Sequence, residues 1–170
     1  DARYFGGWAV NAETYENHLA ETGIETIPGL TKIAQVGRNG TEFETYITRV
    51  LTIAPIERRE RWVTSESGTP TSNYQLLCYL AYRHEKVFSP WGPVVLSAKG
   101  NAARYLKDAL AKWGASTQAM RRENSADKAH PVSWNAFYVP LGTFEKAPEI
   151  VSVGKTSKSP ITPCHVYLPE

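Results

Sequence analysis

Tyr74-Gln75-Leu76-Leu77-Cys78-Tyr79-Leu80-Ala81-Tyr82-Arg83 is the segment from which the architecture is best read. In an extended chain successive side chains point to opposite sides. Tyr74, Leu76, Cys78, Leu80 and Tyr82 therefore share one face, and Gln75, Leu77, Tyr79, Ala81 and Arg83 share the other. Both faces are largely apolar, which predicts a central strand. Downstream the period changes. Pro93–Ala98 reads as a short strand, Gly100 breaks the pattern, and Ala102, Leu106, Ala109, Leu110 and Trp113 fall on one helical stripe. Asn101 is the expected N-cap and Gly114 the expected left-handed residue at the end, giving an amphipathic helix over Asn101–Trp113.

Upstream, Ala12–Ala20 suits a short helix, and Thr31–Val36 and Thr41–Ile53 suit strands. Phe43, Ile47, Leu51 and Ile53 alternate with Glu42, Glu44, Tyr46, Val50 and Thr52. Pro55 is expected to interrupt, with Glu57-Arg58-Arg59-Glu60-Arg61 as a charged corner before a strand over Glu60–Thr64. Ser65–Asn73 reads as a loop. Beyond the helix, Ala119–Arg122 suits one helical turn, and Ser133–Val139, Ile150–Val153 and Cys164–Leu168 suit strands. The expectation is a single domain over 1–170, mainly β with one principal helix (α+β), its sheet antiparallel and either curved or closed into a barrel.

Composition narrows the classes. Five Trp, nine Tyr and five Phe against one Met suit pleated surfaces, and they equally suit stacking platforms. The net charge is +2, but residues 1–31 carry net −4 and the rest +6, with +5 inside Arg83–Lys128. That asymmetry concentrates positive potential away from the acidic start. No run of 18 apolar residues exists to cross a membrane, and two cysteines make no disulfide framework, so a reducing cytoplasm is expected.

Chemical signatures are incomplete. Gly154-Lys155-Thr156 follows a strand, but Glu149 stands where a phosphate loop needs its first glycine, and prolines follow instead of a helix. His18, Cys78, His84, His130, Cys164 and His165 lack zinc-ligand spacing, so neither a metal nor a cofactor is expected. Glu42 and Glu44 share a strand face, as an acid/base pair would, and so do the side chains of any solvated edge. An enzyme assembled from Glu42, Glu44, His84 and His165 stays open as an alternative. So do a carbohydrate- or small-ligand-binding β domain and a self-associating assembly protein.

Basic and aromatic residues interleave. Arg58, Arg59 and Arg61 adjoin Trp62, and Tyr79, Tyr82, Arg83, Lys86, Phe88, Trp91 and Lys99 fall close together. Single-stranded nucleic acid requires both ingredients: cations to track phosphates, rings to stack on unpaired bases. The order of strands at Thr41–Ile53, Glu60–Thr64 and Tyr74–Arg83, the helix, then strands near Ser133–Val139 and Cys164–Leu168, resembles that of an OB-fold barrel. Pro93–Ala98 and Ile150–Val153 are additions to that order. The resemblance implies non-catalytic binding of single-stranded DNA or RNA with little sequence preference. Arg59, Arg61, Trp62, Tyr79, Arg83, Lys86 and Trp91 are the expected contacts, with Lys99 on a phosphate.

Overall fold

The computed structural model describes residues 7–24, 26–27, 29–37, 40–64, 68–81, 88–123, 125, 129, 142–146, 149–153, 157–161 and 164–167. The chain opens with β1 (Trp8–Asn11), α1 (Ala12–Thr22), β2 (Thr31–Val36) and β3 (Glu42–Thr48). Antiparallel pairing gives a three-stranded sheet in the order β1-β3-β2. The ends of α1 follow elementary rules. Asn11 Oδ1 accepts the Thr14 amide at 3.1 Å, and Gly23, at φ 65°, donates its own N–H to the Leu19 carbonyl.

The expected strand over Thr41–Ile53 is two. It leaves the first sheet at Arg49 and continues as β4 (Val50–Thr64) in a second sheet. Pro55 does not interrupt it, and Glu57–Arg61 is strand rather than corner. Two features permit this. The pairing of β4 with β7 (Gly142–Lys146) ends at Ile53, so beyond it β4 has one described neighbour, β5 (Pro70–Ala81). Pro55 keeps Cys78 as its partner, and the register shift that follows, which leaves Ile56 unpaired, puts the residue lacking an N–H beside an irregularity where the ladder is already broken. The tail of the expected loop, from Pro70, likewise belongs to β5. The short strand expected at Pro93–Ala98 is part of β6 (Phe88–Lys99), an edge strand whose prolines cost no interior ladder bond.

Two helices follow, α2 (Asn101–Ser116) and α3 (Gln118–Glu123), and then β7, β8 (Glu149–Val153), β9 (Ser157–Ile161) and β10 (Cys164–Tyr167). The expected strand Ser133–Val139 and the Gly154-Lys155-Thr156 segment lie outside the described residues. The second sheet has five strands in the order β10-β7-β4-β5-β6, and β8 pairs with β9 in a hairpin of its own. Within the five, β4, β5 and β6 form a meander and β7 returns beside β4, the spatial order of a Greek key. All described pairings are antiparallel, and among the described residues no sheet closes into a barrel.

Both expected caps of α2 are corrected. Gly100, not Asn101, is the N-cap, at φ 56° and ψ −128°, with no side-chain cap bond. Gly114 lies within the helix, which runs on to Ser116. Its last carbonyls are met by the Thr117 backbone N–H, which reaches that of Trp113 at 3.0 Å, and by two side chains. Thr117 Oγ1 donates to the Trp113 carbonyl at 2.8 Å, and Arg121 Nη2 donates to that of Gly114 at 3.0 Å. With those groups satisfied, no left-handed glycine is needed.

The buried stripe of α2 is Ala103, Leu106, Ala109, Leu110 and Trp113. It packs on the inward side chains of all five strands of the larger sheet: Ile53, the β5 set Tyr74, Leu76, Cys78 and Leu80, and then Ala98, Phe144 and Cys164. Trp8 joins that core from the smaller sheet, and its Nε1 donates to the Phe144 carbonyl at 3.2 Å. The two sheets thus share one interior. No described helix is long and apolar enough to cross a membrane.

Candidate nucleic-acid interface

With α2 covering one side of β4, β5 and β6, the other side is exposed from the Arg61 row to the Val95 row and closes at Ala54, which is 1% exposed. Strand register arranges that outer face in rows. Arg61, Asn73 and Lys99 form one, Arg59, Gln75 and Ser97 the next, and Glu57, Leu77 and Val95 the third. Tyr79 and Pro93 continue it. Arg59, Arg61, Lys99 and Ser97 are exposed, Gln75, Leu77 and Tyr79 are half-buried, and Val95 is 56% exposed. Neighbouring strands lie about 4.8 Å apart, so Arg61 and Lys99 are roughly 10 Å from each other across β5. The face is therefore graded, cationic at the Arg61 end and apolar at the Tyr79 end.

Alternation sorts the Glu57–Arg61 run. Arg59 and Arg61 point outward with Glu57, while Arg58 and Glu60 fall on the helix side with Leu76 and Tyr74. Glu60 is engaged there by the Lys107 ammonium of α2 and by the Ser72 hydroxyl. Those two donors, Lys107 first, hold its carboxyl below the ordinary carboxylate range. The negative charge nearest in sequence to Arg59 and Arg61 is thereby neutralised on the opposite face.

The expected contacts separate accordingly. Arg59, Arg61, Tyr79 and Lys99 share the outer face. Trp62 pairs with Ser72 on the helix side, 72% exposed but not beside the arginines. Trp91 lies within β6, its side chain outside the described residues, as are Arg83 and Lys86 entirely. Gln75, Leu77 and Val95 were not anticipated. Their signal was the polar–apolar mix on the second face of Tyr74–Arg83, meaningful only once β6 is paired beside it.

Glu44 bonds Lys32 at 2.7 Å, and Lys32 also bonds Glu16 at 3.0 Å. The Tyr46 hydroxyl donates to Glu16 at 3.0 Å. The hydrogen bonds from Lys32 and Tyr46 lower the Glu16 carboxyl, that carboxylate raises the Tyr46 phenol, and the two carboxylates, Glu44 foremost, raise Lys32. This cluster ties α1 to β2 and β3. Glu42 and Glu44 lie in the smaller sheet and His165 on β10 of the larger, while His84 lies outside the described residues. Among the described residues no group of three or more His, Cys, Asp or Glu is placed to hold a metal. A cleft of about 610 Å³ separates α1 and β1 from β6, lined by Trp8, Tyr15, His18, Leu80, Val94 and Leu96 among others. The chain matches no family model, no curated protein and no solved structure.

Proposed function

We propose that the outer face of β4, β5 and β6 binds single-stranded nucleic acid without catalysis. The observation that carries this reading is the convergence of Arg59, Arg61 and Lys99 on one exposed surface, which grades past a single carboxylate, Glu57, into Leu77, Val95 and the half-buried Tyr79. A flexible strand crossing the sheet sets phosphates against the cations and releases their counterions, while bases rest on the apolar end.

The order of elements supports an OB-like reading. Three meandering strands, α2, then a fourth strand beside the first give the Greek-key order of that family, and α2 packs against both open edges, β6 and β10. In this reading strands two and three are β5 and β6, not Glu60–Thr64 and Tyr74–Arg83, so the oligonucleotide surface shifts one strand along. Titrating a labelled oligo-dT at low and high salt tests the proposal. Affinity that falls steeply with salt, and that Arg61→Ala and Lys99→Ala weaken, is expected. Absence of a salt-sensitive complex overturns it.

A second reading, a small-ligand-binding β domain, is favoured by one observation, the largely apolar cleft between α1, β1 and β6. Its volume falls within the range of ligand pockets. Binding there is insensitive to salt for a neutral ligand, which separates the two readings.

A further inference from the structure

Gln75 stands at the middle of the outer face, between Arg59 on β4 and Ser97 on β6. Arg59 Nε and Nη2 both donate to Gln75 Oε1, at 3.3 and 2.8 Å. A guanidinium has no acceptor, so the amide must turn its oxygen toward it. That consumes the side of Gln75 able to accept. What the pair presents outward is the Nε2 hydrogens of Gln75 and the three remaining N–H groups of Arg59's five. In the row toward Arg61, Arg61 and Lys99 also carry only donors, with Asn73 between them, while Glu57 lies in the row on the other side.

Resting on the nucleic-acid reading above, we infer that this locked pair makes the face select bases by the carbonyl at O6 or O4, favouring guanine and thymine or uracil over adenine and cytosine, which carry an amino group there. Guanine offers two acceptors, N7 and O6, and thymine and uracil offer O4. Adenine and cytosine put amino groups, N6 and N4, at the corresponding positions, where donor meets donor. A free glutamine would instead suit adenine, its oxygen accepting from N6 and its nitrogen donating to N7. The bond from Arg59 removes that option.

The decisive comparison is oligo-dU against oligo-dC, pyrimidine strands whose bases differ in O4 against an N4 amino group. Binding of each labelled strand is measured at one low salt concentration with wild type and Gln75→Glu. Wild type is expected to hold oligo-dU at least about fivefold tighter, the size of one ordinary hydrogen bond gained at O4. Gln75→Glu places an acceptor where the amide nitrogen stood, weakens binding to both strands, and turns the ratio toward oligo-dC, whose N4 donates to carboxylates. Equal wild-type affinities for the two strands, or a ratio that Gln75→Glu leaves unchanged, overturn the inference while leaving nucleic-acid binding intact. Failure of both strands to bind wild type removes the parent reading with it.

Discussion

Gly100 holds φ 56° and ψ −128°, a region that an L side chain resists. Its carbonyl accepts from Ala103 and Arg104, and its N–H reaches the Ser72 carbonyl on β5, so the strained turn sets where α2 starts above the sheet. A Cβ there meets nothing within 4 Å, so the penalty of Gly100→Ala is one of backbone alone. The expected loss is about 1–3 kcal/mol, read as a lower urea midpoint at unchanged slope. Cys78 is fully buried in the core beneath α2. Burial pushes its thiol from the ordinary 9.0 to about 12. The unfolded chain releases this proton first, so the thiol's contribution is intact below pH 9 and is lost as pH rises toward 12, by at most about 1.4 kcal/mol per unit. Urea midpoints compared across that window should fall less in Cys78→Ala than in wild type. In the native protein Cys78 should also resist thiol reagents at neutral pH.

At the scale of elements, α2 shows how much periodicity delivers. Its stripe was legible because Leu106, Ala109, Leu110 and Trp113 recur at helical spacing whatever packs against them. Its termini were not, because Thr117 and Arg121, beyond the stripe, satisfy the carbonyls that Gly114 was expected to free. Thr117 is fully buried, so Thr117→Val keeps the shape but removes the hydroxyl's bond to the Trp113 carbonyl, leaving that from the Thr117 amide. A loss of about 1 kcal/mol is expected, with faster amide exchange over the last turn of α2. Strand β4 makes the converse point. Pro55 is a sound signal for a break in a strand paired on both sides, and it misleads here because pairing with β7 has ended at Ile53. Once Glu57–Arg61 is taken as strand, alternation alone sets Arg61 and Trp62 on opposite faces.

For the whole molecule, Trp8 couples the smaller sheet to the core of the larger through its ring and its bond to the Phe144 carbonyl. Trp8→Phe leaves that buried carbonyl without its indole donor. About 1–2 kcal/mol should be lost from one cooperative transition rather than from a separate melting of the smaller sheet. Function scales with the shared face. If Arg59, Arg61 and Lys99 each neutralise one phosphate, the plot of log affinity against log salt has a slope near −2, about −0.7 per contact on a single strand. Arg61→Ala or Lys99→Ala should each make it shallower by about 0.7, with little change in preference among bases. What the sequence determined by itself is local and periodic: a chain built mainly of strands, the stripe of α2, and the inward set Tyr74, Leu76, Cys78 and Leu80. Those follow from spacing along one segment, where burial of a face leaves its own repeat. Which cations meet, and that Gln75 lies locked beside Arg59, only the tertiary structure decided, because cross-strand neighbours are set by register, by the shift after Pro55 and by the extent of β7, none of which is written in any one strand.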